Sequence, residues 1–484
     1  MVLSWVDYAV IAGYLLGITA FGSWFARFQK TTRDYFLTDR SVPWWAICFT
    51  IVATETSTLS FIGVPAEIFS AAGARYTGNM TFLQLVLGYV IGRIIVSVLF
   101  LPAYFRGELY TSYELLQRRF GEPVKNLAAV IFLVNRSLAD GVRLYATALV
   151  IAVVTQVPVS WTVIVLGAAM IVYTVRGGVS AVIWTDVVQM FVYIGGAALI
   201  AAGALRAIDG GWDSVVAAGE AAGKFTVLDV STDPRRVYTL WSGVIGGIAL
   251  TLATHGTDQF LVQRLLSARS ERDAKRGLVL SGFIVLAQFT MFLMIGLMLY
   301  TYYQSHPLPP GTQPDQVLAT FVVQQLPPGV VGFIVAAIVA AALSPSVNAM
   351  AATTVNDFYK RYWRPDADER TLMRVSRRAT VFWGIVQLGV ALGAQWMNQS
   401  VLSAGLAVLS LAAGPVLGAF VIGVLTQRVG SQAMLGGMLI GIAVVSWAWW
   451  TAACAWTWYA FLGAAATAAA AVALSAVLPR RANG

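Results

Sequence analysis

Residues 53 to 65 read Ala-Thr-Glu-Thr-Ser-Thr-Leu-Ser-Phe-Ile-Gly-Val-Pro. They place one carboxylate (Glu55), five hydroxyls, a glycine and a proline inside an apolar run from about Trp44 to Ala72. A run of that length crosses a bilayer. Polar groups at mid-membrane depth are tolerated only where they face a bundle interior or a water-filled cavity, so the stretch marks a functional site. Gly63 and Pro65 weaken the helical ladder, which predicts a discontinuous helix whose freed carbonyls and amides meet an ion or a solute. The plainer alternative is a kinked helix with Glu55 paired to a neighbour.

Other chemistry is excluded by what the chain lacks. The two cysteines, Cys48 and Cys454, lie in apolar runs, and with two histidines they build neither a disulfide framework nor a transition-metal centre. A Walker-type glycine loop and a zinc-ligand spacing are both absent from the sequence. Glu55 alone supplies no catalytic dyad. These features predict no enzyme, no cofactor and no nucleic-acid partner.

The elements that position Glu55 are membrane helices. The chain has 484 residues, 58% hydrophobic and 11% charged, whereas soluble domains average about 25% charged. Apolar runs predict about thirteen spans: 3–26, 44–72, 77–105, 124–154, 158–175, 181–206, 239–263, 277–303, 327–356, 378–397, 400–426, 433–451 and 454–478. The first carries no basic flank and reads as a retained span rather than a signal peptide. Placing the N-terminus outside puts 24 of the 32 Lys and Arg in inner loops and 5 in outer loops. That bias predicts an outside N-terminus and an inside C-terminus. The remaining three, Arg93, Arg136 and Arg143, fall within spans. The outer segments 207–238 and 304–325 read as caps over an entrance or as connectors. The fold class is therefore an all-α polytopic membrane protein, and an apolar helical architecture predicts a plasma membrane, in a bacterium the inner one.

Several stretches in order resemble the sodium/solute symporter family. They are Ala53 to Pro65, Tyr110-Thr-Ser-Tyr-Glu-Leu-Leu-Gln-Arg-Arg-Phe-Gly121, Gly177-Gly-Val-Ser-Ala-Val-Ile-Trp-Thr-Asp-Val-Val-Gln189, His255-Gly-Thr-Asp-Gln-Phe-Leu-Val-Gln-Arg264, and Asn348 through Asp357-Phe-Tyr-Lys360. The resemblance runs from the first helix to about residue 430. It implies one transporter domain over 1–484, with a peripheral first helix (3–26), inverted five-helix repeats at helices 2–6 (44–206) and 7–11 (239–426), and two peripheral C-terminal helices (433–478). The polar, glycine-rich span Gly243 to Gln259, five helices after the first broken one, fits such a paired interruption.

The resemblance also implies a sodium site. Its backbone ligands would be the carbonyls of Ala53, Thr56 and Ile338, with two hydroxyls from positions that here are Ala341 and Ala342. Both side-chain ligands are thus missing. Pro345 cannot donate to the carbonyl of Ala341, so that oxygen, the Ser344 hydroxyl and the Glu55 carboxylate would rebuild a cation site. Asp186 matches an acid that helps hold a second sodium in some members, although Pro345 stands at the neighbouring hydroxyl position. It reads equally as a cap on its own helix. For the solute, the resemblance implies Thr58, Ser60, Gln84, Thr251 and Thr254. An intramembrane arginine, Arg136 first, would suit a carboxylated solute; pairing with Asp140 or Glu55 is the competing role. The expected function is cation-coupled symport of a small polar or carboxylated solute by alternating access, with sodium as coupling ion and proton coupling through Glu55 as the alternative. A transporter-like sensor is disfavoured because only six residues follow Leu478. The solute and the oligomeric state are left open.

Overall fold

In hydrocarbon each backbone amide and carbonyl must be paired within its own segment, so the apolar runs fold as helices. The computed structural model describes residues 3–26, 41–71, 76–106, 111–176, 179–342, 346–397 and 400–478. Among them the architecture is helical, and a lone bridge between Val42 and Ala268 is the sole β pairing.

In chain order the helices are α1 (Trp5–Ala26), α2 (Trp44–Glu55), α3 (Thr58–Phe69), α4 (Phe82–Leu99), α5 (Tyr113–Phe120), α6 (Glu122–Thr155), α7 (Val159–Arg176), α8 (Val179–Ala207) and α9 (Gly211–Ala221). They continue as α10 (Gly246–Thr257), α11 (Gln259–Leu266), α12 (Glu271–Ser305), α13 (Val317–Gln325), α14 (Val330–Ala342), α15 (Ser346–Thr353), α16 (Glu369–Gly393), α17 (Val401–Leu425), α18 (Ser431–Trp450) and α19 (Tyr459–Val477). Nine described helices are long and apolar enough to cross a bilayer, and α2 with α3, bent by 60°, would make a tenth. Both α7 and α14 carry shorter apolar stretches.

The sequence places the interruption of the first polar span near Gly63 and Pro65, whereas the chain leaves the helix earlier, at Thr56 (φ −79°, ψ 77°) and Ser57 (φ −93°, ψ 174°). Pro65 sits inside α3. Gly63 serves close packing instead, because a Cβ there would lie 2.6 Å from Cβ of Leu402. The matching span of the second half starts as a π turn, Leu240–Ile245, and breaks at Asp258, whose carboxylate accepts the amide of Phe260 at 2.8 Å.

Close helix contact sets the geometry around the break. A Cβ on Gly88 would lie 2.4 Å from the Val244 carbonyl oxygen, and one on Gly247 would lie 2.3 Å from that of Leu85. Small residues thereby bring α4 and α10 backbone to backbone.

The apolar core divides into two clusters, and the dividing level recurs from helix to helix. On α6 one cluster ends at Leu133 and the other begins at Val142; on α4 Tyr89 and Val96 belong to different clusters; on α8 so do Val187 and Met190. Arg136, Asp140, Arg93 and Asp186 sit between or beside these limits, and Glu55 lies within a turn of the same divide on α2, where Ile51 and Val52 belong to different clusters. A polar belt thus crosses the bundle between two apolar halves, the arrangement expected when buried charges face the interior and not lipid.

Candidate functional site

At the break, the carbonyl end of α2 meets the amide end of α3. The Thr56 amide still reaches the Val52 carbonyl at 2.8 Å, and the Ser57 amide turns back to the Glu55 carbonyl at 2.9 Å. Opposed half-helix ends of this kind present partial negative and positive charge to one point, so cations favour the first and anions the second. Ala53, half-buried, lies in the last turn of α2.

A cavity of about 90 Å³ opens beside the break. Its polar wall includes Glu55, Ser60, Arg136, Arg143, Thr251, Thr254 and His255. Its apolar wall includes Phe82, Leu250, Phe289, Leu402, Leu406 and Leu409. Four of the sequence-predicted solute residues, Ser60, Arg136, Thr251 and Thr254, therefore converge. Two do not line it. Thr58 faces α6, where its hydroxyl accepts from Thr147 at 2.8 Å. Gln84 is tied to the segment 207–238, donating to the Tyr238 carbonyl at 2.9 Å and accepting from the Asp229 amide at 3.3 Å. Its side chain secures that segment, which is why it turns from the cavity.

The buried charges are arranged in pairs. Glu55 is bonded to Arg93 of α4, and His255 Nε2 lies 4.0 Å from the same carboxylate. The kinked-helix alternative had foreseen this pairing, although here it coexists with a true break. As a cation ligand Glu55 is already engaged by a guanidinium. Arg136 meets Asp258 at 2.7 Å and Asp140 at 3.7 Å, with its guanidinium carbon 4.5 Å over the ring of Phe260. A carboxylated solute would have to compete with two resident carboxylates for it. Arg143 lies 3.9 Å from Asp140 and donates to the Thr54 carbonyl at 3.4 Å.

Asp186 does not cap its own helix. It lies two turns into α8, accepts from the Thr50 hydroxyl at 2.7 Å and pairs with Arg264 at 3.0 Å, and Arg264 also donates to Thr50 at 3.1 Å. This three-way brace ties α8 to α2 and α11. Thr56, whose carbonyl was expected to bind a cation, turns its hydroxyl to Gln288 of α12 at 2.6 Å. Ile338 is buried in α14, which packs against α3 and α6. Ala341 falls at the end of α14, and Ser344 and Pro345 lie outside the described residues.

Sequence reasoning missed the wall supplied by α17. Leu402, Leu406 and Leu409 recur at helical spacing, a signal indistinguishable from ordinary core. It also gave His255 no role at the site, because a histidine inside a family-like stretch says nothing of which wall it faces. His255 Nδ1 lies 3.0 Å from the Thr254 hydroxyl, so the two act as one polar unit.

The segment 207–238 packs against this assembly. Its helical part is α9. After it, the buried Lys224 donates to the carbonyls of Ile68, Ser70 and Gly78 at 2.5, 3.1 and 3.2 Å and lies 4.0 Å from the ring centroid of Tyr300. It thus anchors the C-terminal end of α3. Burial pushes its ammonium down to about 8.

Comparison with known proteins agrees with this geometry. A model of the sodium:solute symporter family matches residues 35–441. The sodium-coupled monocarboxylate transporter 2 of Mus musculus is 30% identical over 454 residues, covering 91% of this chain and 71% of that one. The sodium/iodide cotransporter of Homo sapiens is 30% identical over 458 residues, covering 91% and 69%. Among solved structures, a substrate-bound, outward-open Na+-coupled sialic acid symporter superposes with a TM-score of 0.89 at 25% identity, covering 99% of each chain. With a broken helix opening on a polar cavity lined by buried charges, and matches along nearly all its length, this chain belongs to the sodium:solute symporter family of multi-pass membrane transporters and is not an enzyme.

Proposed function

We propose that the chain carries a small carboxylated solute inward with sodium by alternating access. The single observation that carries this reading is the break at Thr56 and Ser57, whose opposed half-helix ends border the cavity. Such a break supplies carbonyls for a cation and amides for an anion at one level of the membrane, which is what coupled transport requires. Relatives that move monocarboxylates and iodide with sodium support both the ion and the negative charge of the solute.

In this reading the carbonyls of Ala53, Thr56, Ile338 and Ala341 hold the sodium ion, supplemented by the Ser344 hydroxyl, which offsets the loss of side-chain oxygens at Ala341 and Ala342. Glu55 contributes through the field of its ion pair, and Asp186 acts as a brace. Ser60, Thr251 and Thr254 meet the solute. Thirteen spans, two inverted repeats over 44–206 and 239–426, and an outside N-terminus complete the account, with a bacterial inner membrane as its setting.

The test is thermal stability of purified protein against a solute library in sodium and in choline buffers. A ligand that binds only the folded state raises apparent stability by mass action. A solute whose protection is enhanced by sodium supports the reading. Protection that follows pH and ignores sodium replaces it with proton coupling through Glu55 and His255, the two titratable groups that share Arg93.

A further inference from the structure

We infer that Arg143, rather than Arg136, is the residue that reads the anionic group of the solute. The inference rests on the proposed transport of a carboxylated solute and names the side chain that selects it. Both arginines lie on α6 seven residues apart, two helical turns, and so share one face of the helix toward the cavity. Their partners differ. Arg136 has two carboxylates and the face of Phe260. One of those carboxylates, Asp258, is itself fixed as the cap of α11. Arg136 is thereby built into the joint between α6 and the second break, and a solute carboxylate would have to displace a structural ion pair to reach it.

Arg143 is held less firmly. Its bond to the Thr54 carbonyl is long, Asp140 stands beyond hydrogen-bonding distance, and Nε has no partner among the described residues. On the wall of the same cavity the hydroxyl of Thr251, 1% exposed, also lacks one. Buried polar groups left without partners are costly. Of three such groups on this cavity's wall, Nε of Arg136, Nε of Arg143 and the Thr251 hydroxyl, the first belongs to a guanidinium already bonded to Asp258 at 2.7 Å, so the other two mark where a ligand's acceptors belong. A carboxylate suits both, since it takes a guanidinium through one oxygen and a hydroxyl through the other. The apolar wall, Phe82, Leu250, Phe289 and Leu402, suits an apolar body. The class of solute is therefore a monocarboxylate with a hydrocarbon or aromatic tail and few hydroxyls. Because Arg143 also touches Thr54, a solute carboxylate that draws the guanidinium away alters the carbonyl end of α2, and this links solute binding to the cation site.

The experiment measures thermal protection of the full chain in sodium buffer by a panel of monocarboxylates (propionate, lactate, benzoate) and by their neutral amides. It uses wild type, Arg143→Gln, Arg143→Lys and Arg136→Gln. Loss of one charged hydrogen bond predicts that Arg143→Gln raises the half-protecting carboxylate concentration about tenfold to hundredfold. The expected pattern is partial rescue in Arg143→Lys and a clearly smaller midpoint shift in Arg136→Gln than in Arg143→Gln despite a lower melting temperature. Carboxylates that protect Arg143→Gln as well as wild type overturn the assignment alone and leave the proposed function standing. Should Arg143→Gln not fold, an unshifted midpoint in Arg143→Lys overturns it equally. Amides that protect wild type where carboxylates do not would sink both the carboxylate reading and this inference.

Discussion

Glu55, the last residue of α2 before the break, is bonded to Arg93, a fully buried guanidinium on α4 whose Nη2 lies 3.4 Å from His255 Nε2 on α10. One ion pair thus joins the break of the first half to the polar helix of the second. Gly282 of α12 makes room for it, since a Cβ there would lie 3.3 Å from Nη1 of Arg93.

Removing one partner of a buried pair leaves an uncompensated charge and costs on the order of 3–5 kcal/mol. Glu55→Gln should destabilise by about that much. The double variant Glu55→Gln with Arg93→Met should cost clearly less than the sum of the single changes. Equilibrium unfolding in detergent reads the cycle, and strict additivity would show that the pair is not coupled.

Asp186 separates a brace from an ion ligand. Asp186→Asn should lower the melting temperature markedly, because Arg264 loses its carboxylate, while sodium dependence of transport keeps its slope. A reduced Hill coefficient for sodium with unchanged stability would instead make Asp186 a cation ligand.

Much of this arrangement was legible in the sequence because membrane chemistry leaves few options. A carboxylate among hydroxyls in an apolar run had to face inward, and Ser60, Thr251 and Thr254 do converge on one cavity. The exact break was not legible: Gly63 and Pro65 weaken a helix on paper, yet tertiary contacts put the interruption at Thr56 and Ser57 and use Gly63 to admit Leu402. Partner choice among buried charges was equally hidden. Arg93, Arg136 and Arg143 look alike in a hydropathy plot, and only the packing of α4, α6 and α10 decides which carboxylate each one meets.

Backbone contact between α4 and α10 predicts a steric threshold. Gly247→Ala puts a methyl 2.3 Å from the Leu85 carbonyl oxygen, so the helices must separate. Loss of several degrees in melting temperature and of solute protection is expected. A variant that melts like wild type would show that the two helices are not held at this distance.

Lys224 carries a pH signature. Burial holds its ammonium at about 8, against 10.5 ordinarily. Between those values the unfolded chain binds more protons than the folded one, so this contribution to stability rises with pH across that window, and the cost of burying the charge is fully present below it. Relative to Lys224→Met, wild type should therefore gain melting temperature as pH is raised from 7.5 to 9.5 (roughly the lower part of that window). A difference that stays flat with pH would show that the carbonyls of Ile68, Ser70 and Gly78 keep the ammonium charged throughout.

The most direct test of the central claim is uptake of a radiolabelled monocarboxylate into proteoliposomes under an imposed inward sodium gradient, with choline and proton gradients as controls. The account predicts accumulation driven by sodium, abolished by choline replacement and strongly weakened in Arg143→Gln. Accumulation driven by a proton gradient alone, with sodium dispensable, would contradict it.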